Sequence, residues 1–200
     1  MLSSTSLKTK RIIFHLLPIL RLFGSLFFDR RYLRGKYFDQ DLSGWIWVLR
    51  GILWQRLLGF NRRVPWPVSP FVVISHPENV EFEVDDINNF QTYGTYFQGN
   101  GRIVIGKGSY IAPNVGLITS NHDSKDLDKQ LAPQDIIIGH ECWIGMNAVL
   151  LPGVTLGNHT IVGAGSIVTK SFPDGNVVIA GNPAKIIRKL GEVQVIAGSN

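Results

Sequence analysis

The sequence predicts a mainly β protein whose principal domain is a parallel β-helix, a triangular prism wound from six-residue rungs. Three observations carry this. From Ile136 to Thr169 an aliphatic residue stands at every sixth position: Ile138, Ile144, Leu150, Leu156, Val162 and Val168. Glycine follows four of these anchors, at Gly139, Gly145, Gly157 and Gly163. Four residues after successive anchors stand Cys142, Ala148, Val154, Thr160 and Ser166, all small or β-branched. A period of six fits neither the 3.6-residue helix nor the two-residue pleat alone. It fits short strands joined by tight corners, with anchor and small residue inward and glycine relieving crowding at the turn. Three hexads close one coil, and stacked coils pair their backbones at about 4.8 Å.

The 200 residues suit one such prism with an appendage. The single cysteine, Cys142, sits at an inward small position and reads as a packing residue. It offers no disulfide framework, and a buried thiol without a basic partner is inert. The net charge of +5 is unevenly divided, +9 over residues 1–63 and −4 over the remainder. A basic, apolar arm therefore precedes a mildly acidic domain.

In chain order, residues 1–63 form that arm, 64–190 the β-helical domain and 191–200 a tail. The apolar run Ile12–Phe28 is broken by His15, Pro18 and Arg21, which argues against a spanning helix of about 20 residues. No small-residue cleavage site follows it, so it reads as one or two short helices with buried apolar faces. A second apolar stretch, Gly44–Phe60, carries Trp45, Trp47 and Trp54 with Arg50 and Arg56 among them. Aromatic, apolar helices flanked by arginines suit an interfacial element on anionic lipid; they also suit packing on the prism or on neighbouring subunits. The segment Val64–Pro70, VPWPVSP, marks a boundary because proline neither donates to a ladder nor continues a helix. An irregular opening coil follows, in which steps of six back from Ile105 reach Gly99, Tyr93 and Ile87. Regular rungs begin at Ile105, Ile111 and Leu117, with Ser109 and Val115 as small partners. Leu117 and Ile138 lie 21 residues apart, not a multiple of six, so a loop of about 121–135 must leave the prism. The prism is expected to end near Ser171, followed by a short strand at Val177–Ala180 and a brief C-terminal helix carrying Lys185, Arg188 and Lys189.

Of the five histidines, His122 stands where the repeat breaks, at the root of the extruded loop within SNHD. His140 and His159 fall at outward positions, third and fourth in their hexads, so they do not converge with His122 on a metal. With its rungs and this loop, the chain resembles the hexapeptide-repeat acyltransferases, whose prism is a left-handed β-helix. The segment Ala112–His122, APNVGLITSNH, is similar to the one that precedes the family's loop histidine, and the resemblance implies that His122 is the general base. An imidazole, with an unperturbed pKa of about 6.5, can take a proton from an acceptor near neutral pH. The acceptor then attacks the thioester of acetyl-CoA directly.

Asp123 is a candidate to support the base, although adjacent side chains rarely meet, which favours a backbone carbonyl or a distant carboxylate. Asn121 is a second candidate; the small-residue register places it inward. A backbone N–H near Gly145 is the expected oxyanion donor. The resemblance further implies that acetyl-CoA lies along the prism between subunits, beside Trp143, Gly145, Ala164 and Thr169. Its phosphates would meet Lys170, Lys185 and Arg188. Small residues permit close backbone approach, and cations match phosphate.

The NHD loop and the GNPAKIIR tail resemble sugar O-acetyltransferases. The expected activity is therefore acetyl transfer from acetyl-CoA to a sugar hydroxyl of a bacterial surface polysaccharide or its lipid-linked precursor. The enzyme would be a homotrimer without a metal or a nucleic-acid partner, working in the cytoplasm with the arm peripheral on the inner membrane face. An amino-sugar N-acetyltransferase is the near alternative; a zinc carbonic anhydrase-like β-helix and a non-catalytic scaffold are remote ones.

Overall fold

The structure, a computed structural model, describes residues 16–191. His15, the beginning of the arm and most of the 191–200 tail lie outside the described residues. Numbered in chain order, the strands build three flat faces. The first face stacks β1 (Val73–Ile74), β3 (Tyr96–Gln98), β6 (Gly116–Ile118), β9 (Val149–Leu150) and β12 (Ile167–Val168). The second stacks β2 (Val80–Phe82), β4 (Ile103–Ile105), β7 (Ile136–Ile138) and β10 (Thr155–Leu156). The third stacks β5 (Tyr110–Ile111), β8 (Trp143–Ile144), β11 (Ile161–Val162) and β13 (Val177–Gly181), and is closed by β14 (Ala184–Lys189). Pairing is parallel except between β13 and β14.

Register follows the six-residue anchors. Ile144 pairs with Ile111 and Val162, and Leu150 with Leu117 and Val168, so the anchors form buried columns inside the prism. The small positions Cys142, Ala148, Val154, Thr160 and Ser166 are buried beside them. Ile138 pairs with Leu156, 18 positions on, whereas Ile105 pairs with Ile138, 33 positions on; the extruded loop therefore adds 15 residues to one coil.

The glycines serve close stacking. A Cβ on Gly145 would come within 2.7 Å of the Ala164 nitrogen and the Val162 oxygen of the next coil. The sharp reversal falls two residues later, where Glu141, Asn147, His159 and Gly165 take positive φ.

Three expectations are corrected. The prism does not end near Ser171: Phe172 bridges Leu156 on the second face and β13 pairs with β11 on the third. No C-terminal helix forms at Lys185–Lys189; that segment is β14, the antiparallel return of a hairpin on β13. β13 would otherwise present an unpaired edge, and β-branched Ile186 and Ile187 suit a strand. In the opening coil, 3-10 turns over Val84–Phe90 replace the third strand and shift the count. Phe97, paired with Leu117, is the anchor there, while Tyr93 is 53% exposed.

The arm forms α1 (residues 16–24), α2 (Lys36–Asp39) and α3 (Ser43–Gly51), which runs on as a π turn over Ile52–Leu57. One hydrophobic cluster extends from Leu17 in α1 to Ala184 in β14. The Pro-rich segment lies in the seam: Trp66 is fully buried, with ring centroids 5.1 Å from Tyr32, 5.0 Å from Phe82 and 5.2 Å from Phe90. Buried Gln55 donates to the Trp66 carbonyl at 3.1 Å and accepts from the Val68 N–H at 2.8 Å, supplying bonds that the prolines cannot make to one another.

Candidate active site

The loop springs from the corner between the first and second faces. β6 hands over to Thr119 and Ser120, both buried, and their N–H groups each donate at 3.0 Å to the Gln98 side-chain oxygen on the coil below. Asn100 donates to the Ser120 hydroxyl at 2.7 Å, and the Gln134 N–H returns to the Thr119 carbonyl at 2.7 Å. The inward polar positions are thus Thr119 and Ser120. Asn121, expected inward, is exposed, because the chain has already turned out of the coil.

Beyond this root the loop folds on itself. His122 and Gln130 form an antiparallel bridge, and the Leu131 N–H donates to the Asn121 carbonyl at 2.8 Å. His122 is exposed, and its Nδ1 lies 2.6 Å from the Leu127 carbonyl. A carbonyl can only accept, so Nδ1 carries the hydrogen and the neutral ring presents Nε2 as an acceptor. The hydrogen-bond partner of the His122 ring is therefore a backbone carbonyl across the loop. Asp123 is spent locally, its Oδ1 accepting from the Lys125 N–H at 2.9 Å. Neither Leu127 nor Gln98 is conspicuous in the sequence, since one contributes only backbone and the other sits on a different coil.

The remaining candidates fall into separate groups. Thr169 and Lys170 follow β12 at the same corner as the loop, both exposed. Gly145 and Ala164 stack at the corner between the third and first faces, next to Trp143, which is 56% exposed on the third face. Lys185 and Arg188 lie on β14, at the end of that face. Within one chain the first face separates His122 from Gly145. The Gly145 N–H is also committed to the Val162 carbonyl at 2.9 Å, so it is not free to hold an oxyanion. A cleft of about 650 Å³ at the end of the prism is lined by Lys170, Phe172, Asn176 and Lys189 among others.

Cys142, His140 and His159 have structural employment in the prism. Burial pushes the Cys142 thiol up, so it stays protonated and un-nucleophilic near neutral pH. His140 Nδ1 accepts from the Lys107 N–H at 3.0 Å, and His159 Nδ1 lies 3.1 Å from Glu141. Among the described residues no group of three or more His, Cys, Asp or Glu side chains could hold a metal ion.

Residues 135–170 match the model of the bacterial transferase hexapeptide (six repeats) family. The Escherichia coli K12 protein named "Putative colanic acid biosynthesis acetyltransferase WcaF" is 42% identical over 132 residues, covering 64% of this chain and 68% of its own. The galactoside O-acetyltransferase of the same organism is 36% identical over 128 residues, 62% of this chain. The chain spans 61% of that relative's length, less than two thirds. Among solved structures, a galactoside acetyltransferase in complex with coenzyme A superposes with a TM-score of 0.55 at 28% identity, covering 88% of this chain and 82% of its own.

Proposed function

Because this chain belongs to the bacterial hexapeptide-repeat transferases, we propose that it moves an acetyl group from acetyl-CoA to a sugar hydroxyl of a surface polysaccharide or its lipid-linked precursor, with His122 as general base. The observation that carries the reading is the Nδ1–H of His122 donated to the Leu127 carbonyl at 2.6 Å, which leaves Nε2 to accept a proton at the exposed root of the loop. Nε2 takes the acceptor's hydroxyl proton as its oxygen attacks the thioester carbonyl. The tetrahedral intermediate collapses with loss of the CoA thiolate, which recovers that proton from the imidazolium. Relatives named for galactoside and colanic acid acetylation support the choice of a sugar hydroxyl.

The separation of Lys170 from Gly145 and Ala164 on different corners favours a cofactor lying between adjacent copies of the chain. A homotrimer of left-handed prisms, working in the cytoplasm where acetyl-CoA is made, is the assembly that fits. Trp143 would flank the thiol end of the cofactor and Thr169 its arm, with Lys170, Lys185 and Arg188 toward its phosphates. Incubation with acetyl-CoA and a panel of oligosaccharides should release CoA thiol and yield an alkali-labile acetyl ester on one of them. An alkali-stable amide on an amino sugar as sole product would overturn the hydroxyl assignment.

A further inference from the structure

We propose that the outer face of the N-terminal arm docks on an anionic lipid surface, with apolar side chains entering the headgroup layer and arginines meeting lipid phosphates. α1 and α3 are apolar on both sides. Their inner sides meet each other: a Cβ on Gly24 would lie 3.3 Å from the Trp45 ring and 3.9 Å from Val48. Their outer sides face solvent. Ile19, Leu22 and Leu26 follow one line along α1 and the turn after it and are 64%, 71% and 73% exposed. Along α3 and its π turn, Ile46, Leu49, Leu53 and Leu57 repeat near every third or fourth residue, 60%, 63%, 46% and 71% exposed. A helix lying on a protein surface in water ordinarily carries polar residues on such a stripe, so stripes of leucine and isoleucine indicate an apolar neighbour.

Charge decides which neighbour. Beside α1, Arg21, Arg30, Arg31 and Arg34 surround a cleft of about 490 Å³ whose single acidic group is Asp39. Arg21 pairs with Asp39, and Arg31 with Asp29 at 2.7 Å. Arg30 and Arg34, both exposed, have no carboxylate partner among the described residues. A second copy of the arm would oppose +9 with +9, whereas anionic headgroups complement it. Among the described residues no helix is long and apolar enough to cross a membrane.

Lipid docking is independent of the acetyl-transfer chemistry and is read without an enzyme assay. The 200-residue chain is floated with vesicles of phosphatidylcholine containing about 30% phosphatidylglycerol, and with vesicles of phosphatidylcholine alone. Two double variants, Leu49→Glu with Leu53→Glu and Arg30→Glu with Arg34→Glu, are compared after their melting and solution mass are measured. Wild type should float with the anionic vesicles, and partition should fall at least about tenfold on neutral vesicles and in each variant. The arginine variant alters only exposed side chains and keeps the test decisive if the leucine variant fails to fold. Wild type that stays with the soluble fraction, or arginine variants that float like wild type, would overturn the proposal. So would a leucine variant that floats normally but loses its oligomeric mass, which would make the stripe a contact between copies.

Discussion

At the scale of single residues, polar groups at the prism corners are held by backbone, and this decides what each can do. His122 gains its tautomer from the Leu127 carbonyl, while Asp86 spends its carboxylate on structure. Asp86 is buried, its Oδ2 accepting from the Gly108 N–H at 2.7 Å and its Oδ1 4.0 Å from Lys36. Burial pushes the Asp86 carboxyl above its ordinary 3.8, only partly opposed by that N–H and by Lys36. A carboxyl with a raised folded-state pKa holds its proton better in the native chain than in the unfolded one. Its contribution to stability therefore declines as pH rises from 3.8 through the folded value and is level above it. Asp86→Asn keeps an oxygen for Gly108 and removes the titration. Its urea midpoint relative to wild type should climb between pH 4 and pH 7, and a pH-independent difference would contradict the assignment.

Whole elements depend on how closely consecutive coils stack. A Cβ on Gly139 would meet Asn158 Oδ1 at 2.6 Å, the Asn158 nitrogen at 2.7 Å and the Gly157 carbonyl carbon at 2.8 Å. Backbone atoms cannot step aside cheaply, so Gly139→Ala should cost about 1–3 kcal/mol, read as a lower urea midpoint at unchanged m-value. An unchanged midpoint would contradict this close stacking of the coils. The same regularity made the prism readable: Ile138 to Val168 carry one period because each anchor meets the same neighbour one coil away. Where partners are not periodic, the sequence was a poorer guide. Lys185–Lys189 has a charge pattern compatible with a helix, and the free edge of β13 draws it into a strand that Ile186 and Ile187 suit. His122 was conspicuous at the break in the repeat, but the group orienting it is a main-chain carbonyl, which leaves no trace in side-chain identity.

Across the whole molecule, arm and prism share one hydrophobic cluster through the seam at Trp66. The proline-rich stretch that reads as a boundary is buried because Trp66 and Val68 fill the space between the helices and the opening coil. Trp66→Ala should cost about 3–5 kcal/mol. Loss of helical signal and loss of prism signal should remain coincident in urea, as in a single cooperative unit. An arm that unfolds first, leaving the prism midpoint unchanged, would show the seam to be dispensable. The same arrangement leaves the arm's outer stripes available for a neighbour and the loop's root on a separate corner.

The most direct test of the account is the turnover number for CoA release from acetyl-CoA with a reactive sugar acceptor, in wild type and in His122→Ala. Loss of a general base predicts a kcat at least about a hundredfold lower, with little change in the KM for acetyl-CoA. A variant that folds as wild type and retains full kcat would contradict the assignment of His122.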